Sequence, residues 1–368
     1  MLEVGSKESS DKERRNRVRQ ENRVKRRSAG YFVRPSRGPR RATLDRGSKV
    51  SRSVRWLFVA VAFLNACSAA AQASSSDSTA APQPVAAHAD SAAASPQSSG
   101  SEPVILIGAG DISGCESEGD YLTAEMLDTI PGIVFTTGDH AYPTGTFQQF
   151  RDCYDRAWGR HKSRTRPTPG NHDYMTQRGI PYFNYFGELA GTRGQGYYAY
   201  DAGAWRVIVL NSEIPARRGS AQERWLRSEL AANSRRCIAA YWHRPLYSSV
   251  REERRFRAEI KPLWDALYDA GADVVINGHD HVYERFSKMD PNGRSDDRGI
   301  RQFIVGTGGR SLYPFGRPAP NSEVRHNGSY GLLKLSLYED RYEWEFVAPA
   351  GSDFSDSGSD VCHPPRAN

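Results

Sequence analysis

The chain has 368 residues, of which 25% are charged and 38% hydrophobic, with a formal net charge of +7. That charge is uneven: residues 1–55 carry 18 Lys/Arg against 6 Asp/Glu, a net of +12, which leaves everything from residue 56 onward at −5. The basic balance therefore belongs to the front end and excludes a nucleic-acid footprint on the folded part, so no nucleic-acid partner is expected.

Residues 1–55 form a basic N-terminal extension. It is longer than the n-region of a signal peptide, and residues 1–50 read as an over-extended gene start, with Val50 or Val54 as the alternative start, in preference to a genuine cytoplasmic or nucleic-acid-binding arm. Residues 56–73 contain the apolar run Trp56 to Leu64, too short to span a bilayer and preceded by Arg52 and Arg55, which is a signal-peptide pattern. Two processing sites compete. Leu64-Asn65-Ala66-Cys67 resembles a bacterial lipobox, which would attach the chain to a membrane through a lipidated Cys67, and Ala71-Gln72-Ala73 resembles an ordinary signal-peptidase site. The lipobox is preferred, although Asn65 is not the usual residue there. Either site predicts export, to the periplasm, the cell surface or the medium. Residues 74–101 are Ser, Ala, Pro and Gln with hardly any large apolar side chain, a flexible linker. Residues 102–368 suffice for one large domain with its own core.

Within that domain Val104 to Ile107, Ile133 to Phe135, Val207 to Leu210, Ile238 to Trp242 and Val274 to Ile276 are short continuous apolar runs, predicted to be strands covered on both faces. Helical spacing appears over Tyr121 to Ile130, Phe147 to Trp158, Gln222 to Ala232 and Arg254 to Ala270, with Ser220 as a cap. Phe303 to Val305, Leu332 to Tyr338 and Tyr342 to Val347 then suggest consecutive antiparallel strands turning at Glu339-Asp340. An α/β layered domain with mixed sheets follows.

Each strand end delivers a residue type that binds metals: Gly110-Asp111, Gly138-Asp139-His140-Ala141-Tyr142, Gly170-Asn171-His172-Asp173, His243 and Gly278-His279-Asp280-His281. An Asp after a strand is more often a turn residue or cap than a ligand, and two surface histidines explain themselves equally well. The histidines at i and i+2 in the last segment can address neighbouring metals, and Asn171 offers a neutral oxygen.

In order and spacing these residues resemble the calcineurin-like metallophosphoesterase superfamily, specifically its purple acid phosphatase branch, over about residues 103–350. The superfamily usually begins with Asp-x-His. Here that position is Asp111-Ile112-Ser113, and the branch instead uses a Tyr in Gly-Asp-x-x-Tyr, matched by Gly138 to Tyr142. The resemblance implies a four-layer α/β/β/α sandwich with two mixed sheets and a dinuclear metal site at the C-terminal ends of strands. It assigns Asp111, Asp139, Tyr142 and His281 to one metal and Asp139, Asn171, His243 and His279 to the other. Two carboxylates and a phenolate suit a trivalent ion, Fe(III), while the second set suits a divalent Fe, Zn or Mn. His172 would face the ester oxygen as the catalytic, non-ligand histidine, with Asp173 either orienting it or capping a turn. Two such metals activate a bound water for in-line attack on phosphorus.

Weaker candidates carry two readings each. The basic run Arg151, Arg156, Arg160, His161, Lys162, Arg164 and Arg166 is a solvated face more readily than a substrate site. His140 could contact substrate or make a structural hydrogen bond, Arg244 could support the cleft wall, and Gly306-Thr307-Gly308-Gly309 is a close-packed turn more readily than a phosphate loop. Beyond Cys67 the chain has Cys115, Cys153, Cys237 and Cys362; an even number in an exported domain suggests two disulfides. Cys115 with Cys153 and Cys237 with Cys362 is the favoured connectivity of three. The function expected is hydrolysis of small phosphomonoesters, with a phosphodiesterase or nucleotidase as the alternative on the same metals and a non-catalytic surface binding protein as the alternative from another class.

Overall fold

The computed structural model describes residues 102–250 and 254–364; the extension, export signal, Cys67 and linker read from residues 1–101 lie outside the described residues. Two mixed sheets form the centre. The first has six strands in the order Ser357–Val361, Arg341–Val347, Leu332–Leu337, Val104–Ala109, Ile133–Thr136 and Thr165–Pro167. The second has seven, in the order Ser322–His326, Tyr283–Met289, Ile300–Val305, Val274–Asn277, Cys237–Tyr241, Trp205–Val209 and Tyr198–Ala202. A two-stranded ribbon, Ser113–Gly114 beside Ala141–Tyr142, stands apart.

Strand alternation explains the layers. Val207, Val209, Ala239, Tyr241, Val274 and Ile276 of the second sheet share one buried cluster with Leu106, Leu333 and Leu335 of the first. Their sequence neighbours Ile208, Ile238, Ala240 and Val275 face the other way, onto Leu226 of the helix Ala221–Ala232 and Ile260, Leu263, Trp264 and Leu267 of the helix Arg254–Ala270. Period-two side chains buried on both faces are what the continuous apolar runs required. Ala124 and Leu127 of the helix Gly119–Thr129, with Tyr154 and Trp158, complete the first cluster, giving an α/β/β/α sandwich.

The expected strands and helices are present within a few residues, and the Ser220 hydroxyl accepts from the Glu223 N–H at the start of its helix. Two readings change, and several elements were not foreseen. Ile300–Val305 does not run on into the C-terminal strands: it lies in the second sheet, parallel to Val274–Asn277 and antiparallel to Tyr283–Met289. It is buried at every position, whereas Leu332–Leu337 and Arg341–Val347 alternate, as befits strands with one open face. Phe147 to Trp158 is not one regular helix, because a wide π turn, Phe150–Tyr154, interrupts it and carries Cys153. The helices Asn171–Met175 and Ile180–Phe186, and the strands Tyr198–Ala202, Tyr283–Met289, Ser322–His326 and Ser357–Val361, had no periodic signal long enough to detect.

Both favoured disulfides form. Cys115 joins Cys153, and Cys237 joins Cys362, tying the second sheet to the end of the strand Ser357–Val361.

Candidate metal centre

Five strands running in parallel within their sheets end at one place. Val104–Ala109, Ile133–Thr136 and Thr165–Pro167 lead to Asp111, Asp139 and Asn171; Cys237–Tyr241 and Val274–Asn277 lead to His243, His279 and His281. Backbone bonds stitch the ends together: Asp111 N–H donates to the Gly138 carbonyl at 3.0 Å and Gly278 N–H to the His243 carbonyl at 3.0 Å. The carboxyl ends of parallel strands are where open α/β sheets bind ligands.

The local backbone is strained at the same residues. Asp111, Asp139 and His279 have φ of 60°, 54° and 72°, half of the six non-glycine residues with positive φ among those described. Such strain persists where the surroundings over-determine it, typically at functional sites. The glycines before the candidate ligands are part of the same design. A Cβ on Gly138, itself at φ 91°, would lie 2.8 Å from His243 Nδ1, and one on Gly170 would lie 2.2 Å from Asp139 Oδ1.

The seven expected ligand residues converge. The Tyr142 hydroxyl is 2.9 Å from Asp111 Oδ1, 3.0 Å from Asp139 Oδ2 and 3.1 Å from His281 Nε2. His243 Nε2 is 3.3 Å from Asp139 Oδ2, 3.1 Å from Asn171 Oδ1 and 3.2 Å from His279 Nδ1. Asp139 is thus shared between two groups, Asp111–Tyr142–His281 and Asn171–His243–His279. Protons alone satisfy this cluster poorly, since one phenolic hydrogen faces two carboxylates and an imidazole nitrogen. The His243 Nδ1 donates to the Thr137 carbonyl at 2.7 Å, which turns the Nε2 lone pair inward. His281 Nδ1 is likewise engaged by Ser311 Oγ at 2.9 Å, leaving Nε2 facing the carboxylates. At His279 the outer Nε2 accepts from Arg244 Nη1 at 3.3 Å, so a cation at Nδ1 requires a change of tautomer there. The donor set fits two metal ions, harder and more anionic on the Tyr142 side.

The electrostatics agree with that fit. Burial pushes the Tyr142 phenol up, and the Asp111 and Asp139 charges push it further, well above its ordinary range, so the phenolate needs a cation beside it. Burial would raise the Asp139 carboxyl, but the facing His243, His172 and His279 more than offset it and hold it below the usual carboxylate range. Asp111 behaves alike, with His281 opposing burial. Burial would lower His243, yet Asp139 and Asp111 push it up to about 10. The pair stores a proton where a metal would replace it.

His172 lies apart from the ligand atoms. Its Nδ1 donates to the Pro143 carbonyl at 2.7 Å, its Nε2 is 3.9 Å from Asp139 Oδ2, and its side chain is 28% exposed, on the open side of the centre. Asp173 does not touch that ring. It is fully buried and accepts from Gly170 N–H at 2.9 Å, His140 N–H at 3.1 Å and His140 Nδ1 at 2.9 Å. His140, fully buried among Phe150, Tyr154, Tyr182 and Phe186, is therefore structural.

Two members of the basic run have structural roles, while Arg151 is exposed and pairs with its neighbour Asp152. Arg160 pairs with Asp128 at 2.7 Å, and Arg164 donates to the Leu127, Ile130 and Gly132 carbonyls at the end of the helix Gly119–Thr129. Gly306 to Gly309 form a turn packed on the site, where a Cβ on Gly306 would lie 2.8 Å from Asp111 Oδ2. Arg244 supports the wall through Glu213 at 2.9 Å as well as His279. Ser113 is fully buried in the ribbon, its backbone N–H bonded to the His140 carbonyl. The sequence reading missed Ser311, Tyr313, whose ring stacks on His281 at 3.9 Å, and Arg310, whose guanidinium lies 5.2 Å from the Tyr142 ring centre. The signal was the polar cluster directly after the glycine turn.

Residues 102–283 match the family model of the calcineurin-like phosphoesterases. Purple acid phosphatase 18 of Arabidopsis thaliana is 30% identical over 160 residues, 41% of this chain and 36% of that protein. Purple acid phosphatase 21 of the same plant is 28% identical over 280 residues, 66% and 63% of the two chains. The chain thus spans less than two thirds of the length of these relatives. In structure it is similar to a purple acid phosphatase from yellow lupin (Lupinus luteus) seeds, with a TM-score of 0.60 at 20% identity over 70% of this chain and 54% of that one. The chain belongs to the calcineurin-like metallophosphoesterase superfamily and resembles its purple acid phosphatase branch.

Proposed function

We propose that this chain is a metal-dependent phosphoric ester hydrolase acting on small phosphomonoesters in the manner of a purple acid phosphatase. The observation that carries the reading is the Tyr142 hydroxyl, held at once against Asp111 Oδ1, Asp139 Oδ2 and His281 Nε2. When bound, an Fe(III) ion and a divalent Fe, Zn or Mn ion would supply the positive charge for activating water and neutralising the ester oxygens. Asp111, Asp139, Tyr142 and His281 would hold the first, and Asp139, Asn171, His243 and His279 the second. Thr137 and Ser311 keep His243 and His281 turned inward. His172, anchored through Nδ1 to Pro143, presents Nε2 on the open side, where it can hold a proton for the departing ester oxygen. No protein nucleophile is required. The two disulfides favour an exported protein, and attachment to a membrane would run through a lipidated Cys67.

The test is turnover of a phenyl phosphate monoester and a diphenyl phosphate diester by protein carrying two metals per chain. Faster monoester hydrolysis supports the reading. A preference for the diester moves the site to the phosphodiesterase class, and inactivity toward both, with two metals bound, overturns the hydrolase reading.

A further inference from the structure

We propose that Arg310 binds a second phosphoryl group of the substrate, beside the one that is transferred, and so selects esters or anhydrides that carry two. The inference rests on the hydrolytic reading above and adds a substrate class to it. The Arg310 backbone N–H donates to the Asp111 carbonyl at 3.0 Å, which ties this residue's main chain to a candidate ligand. Its guanidinium lies 5.2 Å from the centre of the Tyr142 ring, beside the metal centre and one step removed from the ligand oxygens. The side chain runs along the ribbon that carries Gly114 and Tyr142, in space that exists because residue 114 is glycine: a Cβ there would lie 2.8 Å from Nη1.

Among the described residues, the half-buried Arg310 guanidinium has neither a carboxylate within ion-pair distance nor a hydrogen-bond acceptor. Other arginines with low exposure differ, whether beside the site, as Arg244, or remote from it, as Arg285 and Arg301. Arg244 pairs with Glu213, Arg285 with Asp356 and Arg301 with Asp360. A planar cation with unused donors, held over an aromatic face, matches the bidentate geometry of a phosphate. The cluster of anionic ligands nearby is already committed to the metals, so the arginine is left for a group that the substrate brings.

The test compares calorimetric binding of methylenediphosphonate and methylphosphonate to the full metal-loaded chain, as wild type, Arg310→Met and Gly114→Ala, at matched metal content. The wild type is expected to prefer the diphosphonate, and Arg310→Met to reduce that preference about tenfold or more, the worth of a charged hydrogen bond. Gly114→Ala keeps the charge but displaces the guanidinium, and should reduce the preference in the same direction. A preference unchanged in both variants, or an equal loss for both ligands, overturns the assignment. A wild type that hydrolyses no phosphoester yet shows the Arg310-dependent preference contradicts the proposed function and leaves the arginine site standing. An active enzyme without that preference does the reverse.

Discussion

Asp173 offers a sharp test because its place beside His172 in the sequence invites a catalytic role that its geometry denies. Its carboxylate is fully buried and accepts three hydrogen bonds, two from His140 and one from Gly170 N–H. Asp173→Asn conserves volume and one acceptor oxygen, but turns an amide NH₂ toward the donors. Charged hydrogen bonds contribute about 1.5–3 kcal/mol each, and breaking a buried charged partnership costs roughly 3–5 kcal/mol. With one acceptor kept, a loss of about 3 kcal/mol is expected, a large part of a typical stability of about 5–15 kcal/mol. In urea, with a slope of about 3 kcal/mol/M for a domain of this size, the unfolding midpoint should fall by about 1 M. The assay is urea unfolding followed by tryptophan fluorescence, with turnover measured on the folded fraction. An unchanged midpoint accompanied by a large fall in turnover would refute the reasoning and return Asp173 to the role of orienting His172.

His172→Ala should lower turnover about 10²–10⁴-fold while metal content stays at the wild-type level, because the ring lies outside the ligand set; loss of metal and turnover together would make it a ligand. The anchoring of His363, next to the disulfide-bonded Cys362, should be pH-dependent. His363 is raised by its hydrogen bond to Asp273, against the effect of burial, so its contribution to stability is complete below about pH 6.5 and fades as pH rises through the raised value. The Tm gap between wild type and His363→Gln should therefore be wider at pH 6 than at pH 9, and an equal or reversed gap contradicts this.

Much of the site was legible because Asp111, Asp139, His243, His279 and His281 follow buried strands, and Asp111, Asp139, Asn171 and His279 each sit directly after a glycine. The structure gives the reason for the doublets: Gly138 and Gly170 leave no room for a Cβ against His243 and Asp139. The buried strands were legible for a similar reason, since apolar residues on both faces leave no alternation to misread. Ile300–Val305 was misplaced because its buried run says nothing about which sheet it joins, a matter decided by pairing with Val274–Asn277 at long range. His140 stayed open because its partner, Asp173, lies 33 residues away, and the three-way contact of that carboxylate leaves no local pattern. Ser311 and Tyr313 escaped because the residues that hold a ligand in place need only an oxygen or a flat ring at the right spot, and many residue types supply those. The breadth of the π turn around Cys153 likewise has no period of its own.

The central claim is that Tyr142 ligates an iron(III) ion jointly with Asp111, Asp139 and His281. The most direct measurement is the visible absorption spectrum of iron-loaded protein, with metal content determined on the same sample, for wild type and Tyr142→Phe. The account predicts a phenolate-to-iron charge-transfer band in the wild type that is absent from the variant. An iron-loaded, fully active wild type without that band, or a band that survives Tyr142→Phe, would contradict it.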